Sequence, residues 1–168
     1  MEYTPNCNDL NELAVKKVNI QKSIASLIGN NKAIITTRVY RIDGSESKGK
    51  KFQKVFCENL LIGFNSYFNK KKKSITAYNY NSSVELIKSK FDKMNQKASL
   101  MGVSINSTYL DLVLNLLQLE LDEKIAKTEE KEKIKEERRR LREQEKLLAE
   151  AEKERKKLEE ERHNLQKL

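Results

Sequence analysis

The chain has 168 residues, 35% of them charged, with one Pro, five Gly, no Trp and a formal net charge of +9 at pH 7. With the charged C-terminal stretch set aside, about 120 residues remain for a core, enough for one small domain and too few for two. No apolar run reaches the roughly 18 residues a membrane helix needs, so no segment here is expected to span a bilayer.

Met1-Glu2-Tyr3-Thr4-Pro5 lacks the basic-then-apolar pattern of a signal peptide. Cys7 and Cys57 stand far apart with no second ligand pair, which favours two ordinary thiols of a reducing, cytoplasmic compartment over a disulfide. From Asp122 onward 16 Lys and Arg face 15 Asp and Glu, which leaves 18 basic against 10 acidic residues before it. The basic excess therefore belongs to a head, residues 1–121, and residues 122–168 form a nearly neutral charged arm.

Asp9 to Ile28 reads as a helix with an imperfect apolar stripe through Leu10, Leu13, Ala14, Val18, Ile20, Ala25, Leu27 and Ile28. Asn8 or Asp9 caps it, with Glu12 placed as in a capping box, and Gly29-Asn30-Asn31 stops it. Ala33 to Ile42 is rich in β-branched residues and reads as a strand, paired with Phe52 or with Ile75 to Tyr80. Asp43 to Lys51 reads as a polar, glycine-bracketed loop, and Phe52 to Phe68 as a helix. Lys70 to Lys73 fall at or just beyond its C-terminus, where cations suit the helix dipole. Ile75 to Tyr80 is a short strand or extended chain. A further helix begins at Ser82 or Ser83, passes Ile87, Phe91 and Met94, and closes at Gly102. Val103 to Asn106 is a link.

From Ser107 or Thr108, as cap, to Leu168 there is no Pro or Gly. This stretch reads as one continuous helix on the order of 90 Å long. Its root, Tyr109 to Leu121, is apolar on most sides and should be the spine of the head. Beyond it, Ile134, Leu141 and Leu148 are spaced by seven, but Arg155 and Arg162 continue that row. The companion row of Gln144, Ala151, Leu158 and Leu165 turns apolar only late. A coiled coil needs both rows apolar, so Ile134, Leu141, Leu148, Leu158 and Leu165 make at best a weak dimer seam. Acid-before-base pairs at i,i+4, such as Glu120–Lys124, Glu123–Lys127, Glu129–Lys133, Glu136–Arg140 and Glu152–Lys156, support the helix without a partner.

Gly44-Ser45-Glu46-Ser47-Lys48-Gly49-Lys50 fits G-x-x-x-x-G-K. A phosphate-binding loop then needs Ser or Thr for magnesium where this chain has Lys51, and no strand ends in a second metal ligand. A polar turn is the reading adopted. His163, the one histidine, lies in the arm, so neither a metal site nor a Ser–His or Cys–His nucleophile can be assembled. No cofactor and no catalytic residue are expected. Lys48, Lys50, Lys51, Lys54 and Lys70, Lys71, Lys72, Lys73, with Arg38 and Arg41 second, suit phosphate contacts; Tyr78 and Tyr80 add stacking surfaces. A solubilising surface is the competing explanation for the same charges.

The order of features resembles a known family. It begins Tyr-x-Pro, then Asn-Lys-Ala-Ile-Ile and Gly-Ser-x-x-x-Gly-Lys-Lys. Leu-Leu-x-x-Phe-Asn, Gly-Val-Ser-Ile-Asn-x-x-Tyr-Leu and Arg-Arg-x-Leu-Arg-Glu-Gln-Glu follow. This chain resembles the bacterial and phage domain of unknown function 4041, which in many relatives precedes a GIY-YIG nuclease domain of the phage T5 type. Where those relatives carry a Gly-Glu-Cys-Asp-like sequence after Phe-Asn, this chain has Ser66-Tyr67-Phe68-Asn69. The resemblance implies a non-catalytic module that positions a nuclease in mobile-element or anti-phage settings, binding DNA or a protein partner. The other expectation, drawn from the arm, is a structural protein that dimerises through its last helix.

Overall fold

Helices dominate because three segments carry apolar periodicity, two of them with side-chain caps at Asp9 and Ser45, and the fourth is built of helix formers. The computed structural model describes residues 3–165, of which 79% are helical. The elements are α1 (Leu10–Gly29), β1 (Ile34–Thr36), α2 (Glu46–Lys73), α3 (Tyr80–Ala98), β2 (Val103–Ile105) and α4 (Ser107–Leu165), with a 3₁₀ turn over Ser99–Met101. Mostly α with a small β element is the fold class expected above, and that element is a two-stranded antiparallel sheet. Two compact units divide the chain, Met1–Ala126 and Lys127–Leu168.

Within the first unit the root of α4 is the spine. Tyr109, Val113, Leu116, Leu117 and Leu121 are buried against Phe64 and Phe68 of α2 and Ile87 and Phe91 of α3. Phe64 meets Phe91 and Tyr109 edge-on, with centroids 6.0 and 6.3 Å apart. Each such side chain contributes about 1.5–3 kcal/mol relative to exposure. Asp9 caps α1, its carboxylate accepting from the N–H groups of Asn11 and Glu12.

The local readings are corrected at several places. The strand stops at Thr36, and residues 37–41 are not paired as strand. Its partner is neither Phe52 nor Ile75 to Tyr80 but Val103–Ile105, in the register Ile34↔Ile105, Ile35↔Ser104, Thr36↔Val103. The supposed link is thus β2. Its far side is held by Asn95, whose amide donates to the Ile105 carbonyl and accepts from the Ile105 N–H.

The expected loop over 43–51 shrinks to a turn: Ile42 and Ser45 exchange backbone hydrogen bonds, with Asp43 and Gly44 at φ 51° and 74°. Ser45 then caps α2, its hydroxyl accepting from Lys48 N–H. Ile75 to Tyr80 is no strand; Asn79 folds it into a turn by bonding Thr76 N–H and the Ser74 carbonyl. Asn106 rather than Ser107 or Thr108 caps α4, accepting from Thr108 N–H.

Candidate nucleic-acid or partner interface

The two lysine clusters sit at opposite ends of one helix. Lys48, Lys50, Lys51 and Lys54 are exposed on the first turns of α2, and Lys70 to Lys73 form its last turn. At 1.5 Å per residue they lie roughly 30 Å apart. With only Gly44 and Ser45 between the Asp43 turn residue and the helix, no loop remains to encircle a phosphate.

The N-terminal cluster is partly neutralised. Lys50 pairs with Glu46 at 2.6 Å, Arg41 reaches the same carboxylate at 3.7 Å, and Lys48 lies 4.0 Å from Asp43. The hydrogen bond from Lys50, more than any other influence, holds the Glu46 carboxyl below its ordinary pKa. Arg38 is a structural side chain. It donates to the Leu100 carbonyl and lies across Gly102, where a Cβ would come within 2.2 Å of its Cγ. Beneath it, Gln53 donates to the carbonyls of Arg38 and Met101 at 3.0 and 2.8 Å.

The C-terminal cluster is divided. Lys72 packs over the Phe68 ring and lies 3.8 Å from Glu120. Lys71 stands 5.7 Å from the Tyr67 ring centroid, and Lys90 of α3 stands 5.5 Å from the same ring. Lys70 and Lys73 are exposed. Lys71 and Lys90 therefore flank one half-buried tyrosine, with Lys70 and Lys73 exposed on the same last turn, and no carboxylate is paired to any of the four among the described ion pairs. Lys90 was not singled out from sequence, because only the packing of α3 on α2 brings it there. Tyr80 is turned inward against Tyr3, with rings 4.6 Å apart, while Tyr78 is fully exposed.

Behind this surface a polar girdle fastens α4 to α1 and α2. Lys17 pairs with Glu120 at 3.0 Å and Glu123 at 2.7 Å. Burial opposes its charge, but the hydrogen bonds to Glu123 and Glu120 outweigh it and raise its pKa. Lys124 donates to the carbonyls of Lys72, Lys73 and Ile75, capping the negative end of α2. Tyr3 donates to Asp122 at 2.5 Å, and Asp122 is 1% exposed.

In the arm, Ile134, Leu141, Leu148 and Leu158 are 44–68% exposed; the Leu165 side chain lies outside the described ones. Glu136 pairs with Arg139 and Arg140. Among the described residues no group of three His, Cys, Asp or Glu is placed to hold a metal, and no helix is long and apolar enough to cross a membrane.

The family model of the SNIPE associated domain matches residues 11–128, more than two thirds of the chain. No curated protein and no solved structure matches.

Proposed function

The chain belongs to the SNIPE associated domain family, a non-catalytic accessory domain associated with GIY-YIG nucleases, and from that premise we propose that it is the binding and spacer module of such a nuclease. In this reading it serves in phage or anti-phage settings, as the resemblance to the domain of unknown function 4041 implies. Its head contacts DNA without sequence preference, and any catalytic domain lies outside these residues.

The observation that supports the reading most is where the unpaired charge falls. Lys71 and Lys90 flank Tyr67, and Lys70 and Lys73 are exposed on the same last turn of α2, all four without a described carboxylate partner, whereas Lys48, Lys50 and Arg41 at the other end are offset by Asp43 and Glu46. Ammonium groups displace phosphate counterions, so binding weakens linearly in log salt, by about 0.9 per phosphate contact. The test is fluorescence anisotropy of a labelled duplex across a salt series. Replacing Lys70, Lys71, Lys73 and Lys90 with Ala should flatten the log–log slope by about three and cost on the order of tenfold or more in affinity. Unchanged affinity and slope would remove DNA from the reading.

The second reading is a structural protein that dimerises through the arm. The seven-residue spacing of Ile134, Leu141 and Leu148, all exposed, favours it.

A further inference from the structure

The side of β1 facing away from β2 is an open edge. Asn106 N–H donates to the Ala33 carbonyl and Thr37 N–H to the Gly102 carbonyl, at 2.8 and 2.7 Å. Bonded and non-bonded pairs alternate along an antiparallel ladder. With Ile35 opposite Ser104, Ile35 is the bonded residue, and the N–H and C=O groups of Ile34 and Thr36 turn outward. The matching backbone groups of Ile105 obey the same alternation, turning from β1 to the Asn95 amide. No described hydrogen bond occupies the outward groups of Ile34 and Thr36.

That edge opens onto a groove of about 230 Å³. Ile34 and Thr36 form one wall; Lys54, Cys57, Glu58 and Leu61 of α2 form the other, and Ala33 and Ile28 contribute apolar surface between them. A strand edge beside a helix, with an apolar slot between, is the geometry that binds an extended peptide by strand addition. Nothing blunts this edge with Pro or a bulge.

The charge around the edge selects the occupant. Lys32 precedes β1 and is exposed, and Lys54 faces the edge from α2 with Glu58 beside it, while the Arg38 guanidinium is turned to the Leu100 carbonyl. If two copies paired antiparallel about Ile35, Lys32 of each would oppose Arg38 of the other, a like-charge arrangement that disfavours self-pairing. A nucleic acid has no alternating amide N–H and C=O groups to extend a ladder.

We propose that β1 receives an extended segment of a protein partner as a third strand, with an apolar side chain in the groove and a carboxylate near Lys32 or Lys54. This is independent of DNA binding at the far end of α2.

A random peptide library displayed on phage, panned against the full chain, supplies the probe. The proposal expects enriched peptides that combine an apolar residue with flanking acids. Their affinity should fall by about threefold or more on Thr36→Pro, which deletes an outward N–H outside the existing ladder. Because that variant can disturb β1, the same peptides with their central amides N-methylated are measured on the unmodified protein and should weaken by a similar factor. No enrichment, enrichment of peptides without acids, or affinities that resist N-methylation would overturn the proposal. So would a folded Thr36→Pro variant, by circular dichroism, that binds the peptides as well as the parent.

Discussion

Burying a carboxyl group is costly unless donors reach its oxygens, and Asp122 is buried in the first third of α4, the helix that carries most of the charge. Its donor is the Tyr3 hydroxyl, so the N-terminal segment is fastened to α4 by one short hydrogen bond. Replacing Tyr3 with Phe should cost on the order of 1–3 kcal/mol at neutral pH, because Asp122 then loses its donor.

The cost should depend on pH. Burial first, then the bond to Asp122, raises the Tyr3 phenol well above its ordinary pKa. A group raised in the folded state stabilises fully below its unfolded pKa, near 10 for Tyr, and that contribution is lost as pH rises toward the folded value. Burial also raises Tyr80 and Tyr109, so both proteins weaken in alkali. The difference between them isolates Tyr3. Urea unfolding at about pH 8 and about pH 11 should show the gap between parent and Tyr3→Phe closing; a constant gap would mean the hydroxyl contributes only packing.

At the scale of elements, what was legible depended on whether the cause was local. α1 and α3 announce themselves through apolar periodicity and α4 through its composition, and the apolar root of α4 had to be buried. β2 could not be read, because Val103-Ser104-Ile105 is too short for alternation to emerge. The same brevity explains why the β-branched run ends as strand at Thr36: β2 offers three residues, and Gly102 turns away with φ 66°. Lysine clusters were visible as runs, but which lysines lie beside Tyr67, and which are consumed by Glu120 or Asp43, depends on helix packing.

Gly49 shows the limit most sharply. Read as a turn glycine, it lies inside α2, where a Cβ would sit 1.7 Å from the Tyr40 carbonyl oxygen. Helix propensity alone says Gly49→Ala should stabilise by about 1 kcal/mol. The close approach predicts the opposite sign, a loss on the order of 3 kcal/mol, since α2 must back away from residues 40–41. Chemical denaturation decides it, and a stabilised variant would disprove the close seat.

At the scale of the whole molecule, every described buried apolar side chain lies between Leu13 and Ala126, and the basic excess lies in the same span. The residues beyond carry 15 Lys and Arg against 13 Asp and Glu, nearly balanced, so association through them must come from apolar contact. The row Ile134, Leu141, Leu148 supplies three such residues, yet Arg155 and Arg162 follow in register, and the companion row begins with Gln144 and Ala151. Two-stranded coils draw stability from both rows over several heptads. Exposed pairs such as Glu136 with Arg140 and Arg155 with Glu159 stabilise a helix only slightly and do so within one chain. The expected state at micromolar concentration is therefore a monomer by sedimentation velocity. Leu141→Glu with Leu148→Glu should leave the sedimentation coefficient and the melting of the head unchanged. If the parent sediments as a dimer and the double substitution releases monomers, the arm is a dimer seam after all. The structural reading would then displace that of a spacer.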